Sequence, residues 1–174
     1  MATIGLCRMN DTWVTWGDPN GNYDAYTALV VRPTGLDNAL FKFNRSSLPQ
    51  NATIITATLT LNVTGQTGAA GKQLTVLNVD PYTPAQAPWA VTYANAPAIY
   101  NPGPSVDVPI IPGPLSFDVT DQVDVWDAPG LISYHWGYLA LSASGPNGRI
   151  ILDSMESRLG CSPATLRITY SYTP

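Results

Sequence analysis

Apolar and polar residues alternate along several short segments of the chain, most clearly between Asn38 and Val63. Residues 39–43 and 54–63 form two alternating runs, joined by turn-forming Asn, Ser and Pro residues. In the second run one side carries Ala57, Leu59, Leu61 and Val63, and the other carries Thr58, Thr60 and Asn62. Because a period of two lets a strand bury one face and expose the other, the pattern predicts two adjacent strands over a common core.

The same alternation predicts further strands in other parts of the chain. They are residues 12–15, 28–32, 73–79, 137–143, 149–153 and 165–171. Residues 80–114 contain nine prolines, and only 89–93 and 106–110 are strand-like, so this region should hold long connections and edge strands. A stripe of Val119, Val123 and Trp126 predicts one helix over 118–126, capped by Asp118 or Thr120.

Composition narrows the fold and the class of partner. A length of 174 residues suits a single domain, 1–174, and 16 Pro with 14 Gly disfavour long helices, so we expect an all-β protein. The net charge is −4 and the eight Lys and Arg residues are dispersed, which argues against nucleic-acid binding. No apolar run approaches the ~20 residues that span a bilayer, so we expect no membrane partner.

Cys7 and Cys161 lie near opposite ends of the chain. In many β-sandwiches the first and last strands are neighbours, so a disulfide between them is one interpretation. Two separate buried thiols are the other interpretation. Neither the cysteines nor their spacing to histidine fits a zinc site, and we expect no metal and no cofactor.

Several segments together resemble the DNRLRE domains, which are carbohydrate-binding-module-like β-sandwiches. The matching segments are DTWVTWGDPNGNY at 11–23, NALFKFNRSSLPQNATIITATLTLNV at 38–63, VTYANAP at 91–97, SFDVTDQVDVW at 116–126, and ILDSMESR and PATLRITY within 151–170. The resemblance implies a jelly-roll-like antiparallel β-sandwich, a non-catalytic role, and glycan recognition as in some members of the family.

Aromatic residues give the best candidate binding site. Trp13, Trp16, Tyr23 and Tyr26 surround a polar loop that includes Asn22. Aromatic faces flanked by Asn and Asp suit the apolar side and the hydroxyls of a sugar ring. Trp13 and Trp16 have opposite strand parity, so at least one of them should point into the core. A second candidate site is the group of Trp89, Tyr93 and Tyr100; the alternatives are that these rings cover the core or meet a partner chain.

The residues needed for catalysis are sparse. His135 is the only histidine and has no paired nucleophile nearby, so no triad can be assembled. Glu156, the only glutamate, could form a glycosidase pair with Asp153, but the resemblance to the family at this segment favours a structural role. We therefore expect no enzyme. Asp118, Asp121, Asp124 and Asp127 recur every third residue, which indicates a solvated helix face and not a calcium loop. Asp11 and Glu156 could meet across the first and last strands, around a cation or in a hydrogen-bond network.

Two functional hypotheses follow. The first is a structural or adhesive surface protein. In this hypothesis the protein is a virion component (head decoration or tail-associated) that contacts capsid or tail subunits and forms a homo-oligomer, and the absence of a leader before Met1 favours it. The second is a glycan-binding module of a secreted or cell-surface enzyme system. The first places the protein on a virion surface and the second outside the cell, and surface glycans are possible partners in both.

Overall fold

The computed structural model describes residues 1–23, 25–33, 37–49, 51–79, 91–96, 99–127, 136–145, 147–154 and 165–172. Ten strands make up most of this part of the chain. They are β1 (Ala2–Thr15), β2 (Ala28–Val31), β3 (Asp37–Asn44), β4 (Thr53–Thr67), β5 (Gln73–Val79), β6 (Ile99–Asp107), β7 (Gly113–Asp118), β8 (Trp136–Ala143), β9 (Arg149–Asp153) and β10 (Thr165–Ser171). The one α-helix of the described residues is α1 (Thr120–Asp124), and single 3-10 turns occupy Tyr93–Asn95 and Val125–Asp127.

The strands form two antiparallel sheets that share β1. Residues 2–7 of β1 pair with β10, which continues the first sheet to β4. In that sheet β7 pairs with one side of β4. On the other side of β4, β10 pairs with its first part and β9 with its last part, and β2 pairs with β9. Residues 8–15 of β1 pair with β3 in the second sheet, which continues through β8 and β5 to β6. The predicted all-β antiparallel sandwich with one short helix is confirmed for the described residues.

The expectation that residues 39–43 and 54–63 form adjacent strands is wrong. β3 pairs with β1 and β8, whereas β4 pairs with β10, β7 and β9, so the two strands belong to different sheets. The connection between them makes two successive turns, closed by the hydrogen bonds from Leu48 N to Arg45 O (2.9 Å) and from Ala52 N to Pro49 O (3.2 Å). Leu48 and Ala52 are buried in the main core, so the connection passes over the core instead of folding back as a hairpin.

The predicted faces of these strands are nevertheless correct. Ala57, Leu59, Leu61 and Val63 of β4 are at most 2% exposed, and they share the main core with Phe41 and Phe43 of β3. Thr58 lies on the opposite, exposed face of β4. The alternation therefore identifies the buried face correctly although it does not identify the neighbouring strand.

The helix is shorter than predicted. Asp118 is the last residue of β7, and the residue before α1, Val119, makes no side-chain capping bond. Of the two predicted caps, Asp118 satisfies the first N–H of the helix, because its Oδ1 accepts from the backbone nitrogen of Thr120 (3.1 Å) and from the Thr120 hydroxyl (2.6 Å). Thr120 does not act as a cap, and its hydroxyl accepts from Ala57 N (2.9 Å). Because Val119 N also donates to Ala57 O (2.8 Å), the start of the helix is fixed to β4.

The proline-rich region contains more sheet than the sequence indicates. β6 spans Ile99–Asp107 and lies at the edge of the second sheet, where Pro102 and Pro104 can be accommodated. β7 was not predicted, and β1 begins ten residues before the predicted start at Thr12. Trp89 and Cys161 lie outside the described residues, so the Cys7–Cys161 disulfide stays a prediction. No helix in the described parts of the chain is long and apolar enough to cross a membrane.

Candidate functional site

The loop after β1 folds through consecutive tight turns. Asp18 N donates to Thr15 O (3.3 Å), Gly21 N donates to Asp18 O (3.1 Å), and Tyr26 N donates to Tyr23 O (3.4 Å). Residues 18–21 read Asp-Pro-Asn-Gly, with Pro and Gly at the second and fourth positions, which are the positions that type I turns favour. The turns bring the chain back over the end of β1.

Three aromatic rings meet at this point, and we call Trp13, Tyr23 and Tyr26 the aromatic cluster. The ring centroids of Trp13 and Tyr23 are 4.1 Å apart and the planes are stacked at 30°. Tyr26 lies edge-on to Trp13 at 6.5 Å and 88°, and its centroid is 5.1 Å from that of Tyr23. Offset-stacked and edge-to-face contacts are the favourable geometries for aromatic pairs, so the three rings hold one another in place.

The two tryptophans of the predicted site have opposite strand parity and lie in different surroundings. Trp13 is partly buried and packs against the main core, in agreement with the expectation that at least one tryptophan points inward. Trp16 lies just beyond the end of β1, and 64% of it is exposed. Within the described residues Trp16 makes no ring contact with the aromatic cluster. Tyr26 is also well exposed, at 54%.

A hydrogen bond holds Tyr23 in position, and the lack of a side chain on Gly21 leaves room for it. Its hydroxyl donates to Asp18 Oδ2 (2.9 Å), and a Cβ on Gly21 would lie 2.7 Å from the same hydroxyl. The hydrogen bond to Asp18 raises the pKa of the Tyr23 hydroxyl, and burial, the charge of Asp18 and other neighbours that include Asp37 raise it further.

The other side of the loop lies against residues 91–96. Asn22 Nδ2 donates to Val91 O (3.5 Å), and Ala94 N donates to Pro19 O (2.8 Å). Val91 belongs to a second apolar cluster on the outer face of the second sheet, and Tyr93 packs against it. Of the second candidate group, Tyr93 therefore covers this cluster, while Trp89 and the side chain of Tyr100 lie outside the described residues. Asn22 supports the loop through this contact.

Two charged residues beside the end of β1 were not predicted from the sequence. Asp37, the first residue of β3, is fully buried and forms an ion pair with Arg32 Nε through Oδ2. Arg32 Nη2 also donates to Thr15 Oγ1 (3.4 Å), the hydroxyl that accepts from Gly17 N (3.2 Å). The pair therefore ties the end of β1 to the start of β3. The only signal of this ion pair in the sequence was an Arg and an Asp on either side of a short segment that contains turn-forming residues.

The carboxylates show no metal centre in the described part of the chain. No group of three or more His, Cys, Asp or Glu side chains there could hold a metal ion. Asp11 is 2% exposed on β1, opposite Phe41, while Glu156 and His135 lie outside the described residues. The predicted meeting of Asp11 and Glu156 therefore stays a prediction. Asp121 and Asp124 of α1 are exposed, as expected for a solvated face.

Comparison with known families gives one informative match. The model of carbohydrate-binding module family 96 matches residues 2–170 of the chain. The match supports the carbohydrate-binding-module-like part of the sequence resemblance, but it does not support the DNRLRE family that was named. The comparison with curated proteins gave no match.

Proposed function

Because the chain belongs to carbohydrate-binding module family 96, we propose that it binds a glycan through the loop after β1. Modules of this kind are generally non-catalytic, in line with the expectation that the protein is not an enzyme. The observation that supports this site best is the exposed Tyr26 ring, which two neighbouring rings hold at the rim of a β-sandwich.

The aromatic residues have different roles in this proposal. Tyr26 offers an exposed face to the apolar side of a sugar ring, while Trp13 and Tyr23 fix its position. Trp16 is a second exposed ring on the same loop and contacts the glycan separately. The exposed Asp18 carboxylate lies between them in sequence and provides acceptors for sugar hydroxyls. Such preformed rings reduce the entropy lost on binding.

Affinity electrophoresis in gels containing soluble polysaccharides tests the proposal. We expect Tyr26→Ala and Trp16→Ala each to weaken binding about fivefold or more, the loss typical of a contact aromatic. Tyr172→Ala is the matched control, since Tyr172 is 48% exposed and follows β10. Trp13→Ala is a poorer test than the sequence suggests because Trp13 also packs against the core. Binding to no polysaccharide at millimolar ligand would refute the proposal, as would equal binding by all the variants.

The location and the partners are proposed more broadly. A glycan-binding module acts where polysaccharide is displayed, so we place it outside the cell or on a virion surface. A role as a virion component, with capsid or tail subunits as partners and a homo-oligomeric state, stays a prediction. Ile110 and Ile111 are 79% and 77% exposed between β6 and β7, which suits a contact with another subunit and supports only the oligomeric part of this prediction. Mass spectrometry of purified particles and light scattering of the protein test these two points.

A further inference from the structure

The first half of β1 forms an open edge of the first sheet. Residues 2–7 pair with β10 on one side, whereas β3 pairs only with the part of β1 that begins at Arg8. Among the described residues, residues 2–7 make no other backbone hydrogen bond, and Ala2, Thr3 and Gly5 are exposed. An edge of this kind presents unpaired N–H and C=O groups, which are a template for pairing with a further strand.

The other sheet edges in the described part of the chain are protected. β6 carries Pro102 and Pro104, and β7 carries Pro114 and ends at the charged Asp118. Proline and charge both disfavour the addition of a strand to an edge. β2 is covered, since its last three residues are at most 4% exposed. The open edge of residues 2–7 lacks such protection, because it contains neither a proline nor a charged side chain.

Gly5 is a feature of this edge that the chain itself does not explain. A Cβ on Gly5 would meet no atom within 4 Å, and Gly5 is not among the glycines with positive φ. Glycine weakens the interior of a strand, and it often marks a place where another backbone approaches closely. The bare backbone at Gly5 therefore fits a second strand that lies beside the open edge.

The chemistry of the open edge matches a second copy of the chain. Because residues 2–7 carry no charged side chain, they offer nothing to compensate a charge on a partner strand. The strand that suits them is itself uncharged, free of proline and open on one side, and residues 2–7 are such a strand. Most soluble oligomers are symmetric, and in the commonest dimers both copies use the same surface. We propose that residues 2–7 of two copies pair antiparallel and continue the first sheet across a homodimer.

The register of the first sheet is compatible with this two-fold contact. A two-fold axis at Ile4 places Thr3 of each copy opposite Gly5 of the other. Within one copy Thr3 pairs with Thr169 and Gly5 pairs with Arg167, so like charges do not face each other at the contact. The loop after β1 lies at the other end of the strand. The interface therefore goes beyond the proposed glycan binding and does not depend on it.

Sedimentation equilibrium over micromolar protein concentrations tests the interface. The wild type should reach twice the chain mass of 18.6 kDa with a micromolar Kd, because pairing of one short strand buries less area than a standard interface. The double variant Thr3→Lys with Gly5→Lys should raise this Kd about tenfold or more, since it brings like charges together at the edge. Both positions are exposed in a single copy, so the variant should fold, and circular dichroism checks this.

The matched control adds the same two charges to the same sheet away from the edge. Thr56→Lys with Thr58→Lys changes two exposed residues of β4, which is separated from the open edge by β10. The Kd of this variant should remain within about twofold of the wild type. Equal weakening of the dimer by both double variants would reflect charge alone and overturn the interface.

Amide signals of the wild type locate the contact without any variant. In ¹H–¹⁵N spectra recorded on dilution, the signals of residues 2–7 should change together with the fraction of monomer. A dimer whose concentration-dependent changes fall instead on Ile110 and Ile111, near the opposite end of β4, would overturn the proposal. A chain that stays monomeric at every concentration would also overturn it. Neither result removes the proposed glycan binding, which Tyr26→Ala tests separately.

Discussion

Gly21 is the position at which a single methyl group should disturb the aromatic cluster without disturbing the sandwich. A Cβ there would lie 2.4 Å from Asp18 Oδ2 and 2.7 Å from both Cε2 and the hydroxyl of Tyr23. These atoms are the far ends of side chains on a surface loop, so they can move aside. Moving them breaks the 2.9 Å hydrogen bond between Tyr23 and Asp18 and displaces Tyr23 from Trp13.

The size of the effect follows from these two contacts. An exposed hydrogen bond contributes at the lower end of about 0.5–1.5 kcal/mol. The aromatic pair contributes about 0.5–1.5 kcal/mol beyond its buried area. Together they amount to about 1–2 kcal/mol, which changes the population of the ordered cluster by about 5- to 30-fold. Gly21→Ala should therefore weaken glycan binding while the unfolding transition of the sandwich changes little.

Near-ultraviolet circular dichroism and an NMR titration of Tyr23 measure the change directly. Tyr23 has a raised pKa, so its contribution to stability is complete below the ordinary value of 10.0 and is lost as the pH rises through the raised value. In Gly21→Ala that pKa should fall back toward 10.0. Gly17→Ala is the matched control, because its Cβ would meet only Thr15 Oγ1 at 3.5 Å, an ordinary contact. An unchanged aromatic spectrum and Tyr23 pKa in Gly21→Ala, or equal effects of both variants, would contradict this reasoning.

Two further predictions concern stability. Gly137→Ala should destabilise the protein by about 1–3 kcal/mol, because its Cβ would lie 2.3 Å from a ring carbon of Trp126, which is only 7% exposed. Denaturant unfolding measures this loss of stability, and an unfolding midpoint equal to that of the wild type would contradict the prediction. Asp118 has a pKa lowered from 3.8 by its hydrogen bonds from Thr120, so its contribution is complete above 3.8 and is lost as the pH falls through the lowered value. The stability difference between the wild type and Asp118→Ala should therefore shrink under acid, and a difference that stays constant with pH would exclude this explanation.

The strands were predictable where one face of a strand meets the core. The predicted bounds of β5, β9 and β10 agree with the structure, because their alternation follows burial directly, as in Leu166 and Ile168 of β10. The pairing of β3 with β4 was predicted wrongly for a physical reason. Alternation records which side of a strand is buried, whereas neighbouring strands are chosen by long-range contacts such as those of β3 with β8.

The candidate site was predictable only in its local part. Trp13, Tyr23 and Tyr26 lie close in sequence, and turn residues between them bring the rings together. Asp37 was missed because a charged residue beside a turn is normally solvated, and its complete burial goes with the ion pair to the nearby Arg32, which the alternation of apolar and polar residues does not reveal. The role of Asn22 could not be predicted either, since its partner Val91 is distant in sequence.

The inward position of Trp13 depends on an irregularity in β1 that alternation conceals. Leu6, an even-numbered residue, faces the core, and so does Trp13, an odd-numbered one, because the register shifts between Arg8 and Asn10. An extra residue in one strand reverses which side chains face inward. The shift occurs where β1 leaves the first sheet for the second, and for this reason only the last residues of β1 were predicted as a strand. Without the shift Val14 would face the core, and Trp13 would lie on the outer face, away from Asp37. The sheet crossing that closes the sandwich therefore also builds the proposed binding site.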